Sequence, residues 1–201
     1  MLPIRRRLLS LEADVIDPKL TSILRGISAA GPGPDAPLFS EGDMSKLEAL
    51  PSSEEGLLQL IRDSNSDQTI RFLAAEALAE GNWSAWRSDA DKRQALADVL
   101  ANALANDRIH NRWGLPGSFI GPFGRRLLSL GAEAQTALEA FLGDDRPLHI
   151  TGSEAATLNS QAHYGVSDLA AWLIATAGHI PWQPADIPAE RDTAIADLRR
   201  K

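Results

Sequence analysis

Two stretches of the chain carry the same helical phrase, and this repetition constrains the fold more than any other feature. Ile70-Arg71-Phe72-Leu73-Ala74-Ala75-Glu76-Ala77-Leu78, closing at Gly81, returns as Val166-Ser167-Asp168-Leu169-Ala170-Ala171-Trp172-Leu173-Ile174, closing at Gly178. A branched apolar residue, Leu-Ala-Ala at the same offset and a glycine stop describe a short helix whose small face lies close against a neighbour. A chain that repeats such a helix is built by stacking helix pairs.

The segments around the phrase carry the same helical periodicity with clear punctuation. Ile4, Leu8, Leu11, Val15 and Ile16, then Leu20, Ile23, Leu24 and Ile27, are spaced for two short helices divided at Asp17-Pro18, where proline opens the second. Gly31-Pro32-Gly33-Pro34-Asp35-Ala36-Pro37 cannot continue a helix and forms a strap. Residues 1–37 therefore read as an N-terminal helical arm with a Pro/Gly strap, and 38–201 as a helical domain. Within that domain Asp43 caps a helix reaching Leu50, and Ser52-Ser53-Glu54-Glu55 supplies a capping box. Ser66 or Asp67 caps a helix over 68–80, with Ile70, Leu73, Ala74, Ala77 and Leu78 on one stripe. Ser88-Asp89 starts the next, with Leu96, Val99, Leu100, Ala103 and Leu104 on one face. Gly131 separates two short helices, 166–177 is helical, and Ala189–Lys201 is a polar terminal helix. Two long segments, 107–121 and 144–165, read as irregular loops, and no strand is predicted.

DQTIRFLAAEALAEG with RQALADVLANALAND, GRRLLSLG with AEAQTALEAFLGDD, and VSDLAAWLIATAG resemble HEAT-like helical repeats over about residues 54–178. The resemblance implies an all-α fold of antiparallel helix pairs stacked as a short, irregular solenoid or bundle. It also implies a concave face suited to a protein partner. Helical repeat folds host enzymes too, DNA-alkylation glycosylases and bilin lyases among them.

Composition removes several classes. The net charge of −7 disfavours broad binding to phosphate backbones, so nucleic acid is not an expected partner. The absence of cysteine excludes disulfides, thiolate nucleophiles and Cys-based metal sites. MLPIRRRLLSLEADVID lacks the apolar run of a secretory signal, and no window has the ~18 apolar residues of a membrane span. A cytoplasmic protein without a membrane partner is the expectation.

Candidate chemistry lies in the two interrupting loops. Arg108, His110, Asn111, Arg112 and Trp113 combine guanidiniums, an imidazole and an indole, a set that binds anionic or aromatic ligands. The structural alternative has Trp113 and Phe119 plugging the core while Arg108, His110 and Arg112 stay in water. His149, Glu154, His163 and Tyr164 are the acid–base candidates. No HxxxH or HExxH spacing occurs, so neither a metal nor a cofactor is predicted. Glycines ahead of Arg125-Arg126 resemble an anion cradle without the Lys-Ser/Thr of a P-loop, and the alternative there is a helix start with a buried Phe123. The leading expectation is a non-catalytic interaction scaffold holding a protein partner. The competing one is an enzyme or small-ligand binder with a pocket between loops 107–121 and 144–165, His149, Glu154, His163 and Tyr164 moving protons, and Arg112, Trp113 and Arg125 holding the ligand.

Overall fold

A computed structural model describes residues 16–27, 37–105, 110–152 and 154–200. The predicted first helix from Ile4 to Val15, the arginines at 5–7, the strap at 31–36, Arg108, Ser153 and Lys201 lie outside the described residues. The fold is all-α, with eleven helices among the described residues: α1 (Pro18–Arg25), α2 (Glu41–Glu48), α3 (Ser53–Arg62), α4 (Gln68–Glu80), α5 (Ala90–Asn102), α6 (His110–Trp113), α7 (Pro122–Leu128), α8 (Ala132–Glu139), α9 (Glu154–Ala162), α10 (Val166–Ala177) and α11 (Pro188–Leu198).

Three helix starts follow from the predicted caps. Pro18 opens α1 behind Asp17, whose carboxylate accepts from the Lys19 N–H at 2.8 Å. Asp67 accepts from Thr69 and Ile70 N–H, and Asp89 from Lys92 N–H. Two starts differ. Ser40, not Asp43, caps α2; its hydroxyl accepts from the Asp43 N–H and donates to the Asp43 carboxylate, so the helix begins at Glu41. The predicted capping box of α3 does not form, because Ser52 takes a left-handed conformation and the Ser53 hydroxyl donates back to the Leu50 carbonyl.

The helices pack in sequence order: α3 on α4, α4 on α5, α5 on α8, α8 on α10 and α10 on α11, with α1 against α3 and α4. Leu57, Leu58 and Ile61, then Leu73, Ala74 and Ala77, then Leu96, Ala97 and Leu100, then Ala134 and Leu138, and finally Leu169, Ala170 and Leu173 form one continuous core. Each fully buried leucine contributes about 2 kcal/mol, and the alanines allow close helix approach. Both copies of the repeated phrase lie at the centre. The single predicted stripe of α4 is widened, since Phe72, Ala75 and Glu76 are buried as well. Neighbours explain this: α3 and α5 cover α4, and the Phe123 ring of α7 meets Phe72 edge-on at 5.1 Å.

Both segments read as loops contain regular structure. In 107–121, α6 leads into a small antiparallel hairpin, β1 (Gly114–Leu115) with β2 (Phe119–Ile120), pairing Gly114 with Ile120 and Leu115 with Phe119. Gly114 has φ +115°, and a Cβ there would lie 2.2 Å from the Phe119 carbonyl oxygen; at Gly121 a Cβ would meet the Arg112 carbonyl at 2.3 Å. These glycines let two backbones touch. In 144–165 the second half is helix α9, none of whose described residues is buried, which is why it lacks an apolar stripe.

Candidate functional site

His110 and Asn111 tie the two interrupting segments together. The buried His110 ring places Nε2 2.9 Å from the Leu104 carbonyl while Nδ1 accepts from the His149 N–H at 2.8 Å, which assigns a neutral imidazole protonated on Nε2. His149 stacks on this ring with centroids 6.1 Å apart. The Asn111 side chain donates to the Thr151 carbonyl and accepts from the Thr151 N–H. The reading that left His110 and Arg112 in water is therefore corrected, since their exposures are 2% and 4%. Of the two aromatic plugs, Trp113 is fully enclosed and Phe119 is exposed.

Beneath this segment lies a buried group of charges that sequence reasoning missed. Glu76 of α4 is completely buried, with Arg126 Nε 3.3 Å from its Oε2; the same Arg126 reaches Glu80 at 3.0 Å. Neither Glu76 oxygen makes an aligned hydrogen bond among the described residues. Burial therefore dominates and pushes the Glu76 carboxyl up to about 7, with Glu80 adding to the rise and Arg126 and Arg112 opposing it. Burial likewise raises Glu80, against Arg126. Arg112 lies over the Phe123 ring at 4.7 Å, and Trp113 packs edge-on against the same ring. Arg112 and Trp113 thus sit inside the protein and line neither of the cavities described next.

A cavity of about 610 Å³ opens between α4, the 3₁₀ turn Ala85–Ser88, α5 and α7. Arg87, Arg93, Arg125 and Arg126 line it, together with Trp86. Arg93 pairs with Glu133 through Nε at 3.0 Å and Nη2 at 2.5 Å, and its Nη1 donates to the Arg87 carbonyl. The Arg87 guanidinium stands 5.2 Å from the centroid of the Trp86 ring, and Arg125 donates to the Ile120 carbonyl. The glycines ahead of Arg125 form no backbone cradle: the Gly121 N–H already donates to the Trp113 carbonyl, and Phe123 is buried.

A second opening, a groove of about 660 Å³, runs between the β1–β2 turn and α9, with the 183–186 segment as its third wall. It connects the two segments between which a pocket was predicted. Leu115, Pro116, Leu158, Gln161, Tyr164 and Asp186 are among its lining residues. Of the four acid–base candidates only Tyr164 lines it; burial pushes that phenol above its ordinary value, so it stays protonated. His149, Glu154 and His163 are exposed, and Glu154 and His163 stand at opposite ends of α9, about 14 Å apart along the helix.

One buried arginine fixes the groove's far wall. Arg191 of α11 donates from Nε to Asp168 at 2.9 Å, from Nη1 to the Ala185 and Asp186 carbonyls, and from Nη2 to the Ala162 and His163 carbonyls. Its guanidinium also lies 5.0 Å from the centre of the Tyr164 ring. The other Asp168 oxygen accepts from the Gly165 N–H, capping α10. The terminal helix read as polar therefore supplies the bolt that joins α9, α10 and the 183–186 segment.

Compared with known protein families, curated proteins and solved structures, the chain matches none. Among the described residues no helix is long and apolar enough to cross a membrane, and no three His, Asp or Glu side chains gather to hold a metal ion.

Proposed function

We propose that this chain is a non-catalytic interaction protein built on HEAT-like repeats, and that its groove between the β1–β2 turn and α9 holds a segment of a partner protein. One observation carries this reading. Among the described residues the three large apolar side chains left exposed are Phe119 at 43%, Leu158 at 41% and Ile187 at 55%; one lies in this groove and the other two adjoin its lining in the chain. Leu158 lines it, Phe119 follows Ser118 of its lining, and Ile187 follows Asp186 of its lining. Exposed apolar side chains in and beside an opening mark a protein-binding surface. The groove's single charged lining residue is Asp186, on a chain of net charge −7, so the segment it suits combines bulky apolar anchors with a lysine or arginine.

Selection from a displayed peptide library tests this. Enriched peptides should share an apolar anchor and a basic residue. Their affinity should fall at least about tenfold in Leu158→Asp, with the thermal melt unchanged. Peptides that bind Leu158→Asp and Phe119→Asp as well as they bind the wild type would overturn the proposal.

A further inference from the structure

The arginine-lined cavity is a separate feature, on a different set of helices from the groove. We infer that it is a second binding site, one that takes a small molecule through its phosphate group. Charge counting leads there. Four guanidiniums line one concavity, and the carboxyl groups near them gather on two of the four: Glu133 holds Arg93, and Glu80 and the buried Glu76 hold Arg126. Arg87 and Arg125 have no carboxylate within ion-pair distance among the described residues. Two guanidiniums without an ion-pair partner match a dianion. A single carboxylate would neutralise one, whereas a phosphate monoester or diphosphate neutralises both and offers the oxygens that forked donors recognise.

The arginines are also held in place before any ligand arrives. The Trp86 ring supports Arg87 from below, the Arg87 carbonyl receives Arg93 Nη1 at 2.7 Å, and the Ile120 carbonyl receives Arg125. Side chains fixed in this way lose little freedom on binding. The volume of about 610 Å³ exceeds what phosphate alone fills, and Ala79, Pro122, Leu130 and Trp86 complete the wall with apolar surface. The ligand therefore carries a carbon skeleton beyond its phosphate. In a chain of net charge −7, a local concentration of arginine focuses field on this one opening and not over a broad face, which favours a small anion over a nucleic-acid strand.

Titration calorimetry on the whole chain with inorganic phosphate, pyrophosphate, acetate and a single-stranded RNA oligonucleotide tests the site. Pyrophosphate should bind one to one with a Kd below about 1 mM, and acetate at least about tenfold more weakly. Arg87→Ala and Arg125→Ala change exposed side chains and should each weaken pyrophosphate about tenfold. Leu158→Asp, in the groove, should leave that affinity unchanged, so the two sites stand or fall separately. Equal pyrophosphate affinity in the wild type and the Arg87→Ala/Arg125→Ala double variant would overturn the inference, as would absent pyrophosphate binding or tighter binding of the RNA than of pyrophosphate.

Discussion

Replacing Glu76 by glutamine keeps the shape of the most deeply buried carboxyl and removes its charge. In the folded chain that carboxyl sits at about 7, against an ordinary value of 4.5. The gap of about 2.5 pH units, at about 1.36 kcal/mol each, corresponds to about 3 kcal/mol. The folded state holds the proton more tightly than the unfolded one, so the stabilisation is complete below about pH 4.5 and gone above about pH 7. Raising the pH through that window should therefore cost the wild type about 3 kcal/mol that Glu76→Gln does not lose.

Urea unfolding of both proteins across this range isolates the effect of Glu76 and its coupling to Glu80, because titrating groups that do not interact with Glu76 cancel in the difference. The wild type should fall steadily behind the variant between about pH 4.5 and about pH 7, then run parallel to it. A difference that stays flat would mean that Arg126 and Arg112 fully offset burial. A difference that grows in favour of the wild type would mean that the Glu76–Arg126 pair is net stabilising. Either result refutes the view that a 3.3 Å contact without an aligned hydrogen bond leaves burial in control.

Two other substitutions address the joints of the fold. Arg191→Lys keeps a charge but cannot reach Asp168 and four carbonyls at once, and it should lower unfolding stability by about 3 kcal/mol while freeing α11 in hydrogen exchange. Gly114→Ala forces a Cβ against the Phe119 carbonyl at a φ of +115°; a loss of about 2 kcal/mol by calorimetry, with altered near-ultraviolet dichroism around Trp113, is expected.

The frame was legible because its signals are local. Asp17-Pro18, Asp67, Asp89 and Gly131 act within one turn of their own helices, and the Leu-Ala-Ala phrase fixes two central helices wherever its partners lie. What the sequence hid depends on contacts across more than thirty positions. Glu76 finds Arg126, Arg93 finds Glu133 and the Trp86 backbone N–H donates to the Glu54 carboxylate. A local signal did exist for the first of these: Glu76 and Glu80 are like charges one turn apart, beside a stripe of core residues, and such a pair needs a cation from elsewhere. The glycines at 121 and 124 looked like an anion cradle because close backbone approach and anion binding ask for the same residue. Helix α9 was missed because a helix with no buried residue has no stripe to read.

Segment 144–152 tests whether these irregular stretches are flexible connections or built walls. It carries almost no regular structure, which by itself predicts fast amide exchange. Its amides are nonetheless engaged one by one: Leu148 N–H donates to the Tyr164 carbonyl at 2.9 Å, His149 N–H to His110 Nδ1 at 2.8 Å, and Thr151 N–H to Asn111 Oδ1 at 2.8 Å. Asn159 closes the set by donating to the Leu148 carbonyl. Two of these three amides depend on side chains of α6, so their protection should vanish together in a His110→Ala/Asn111→Ala variant and leave the α4 and α10 amides unaffected. Exchange slowed at least about a hundredfold relative to an unstructured peptide, in the wild type only, would show that the second segment is fixed from the first. Unprotected His149 and Thr151 in the wild type would instead make the groove's neighbourhood mobile, and any partner segment would then have to order it on binding.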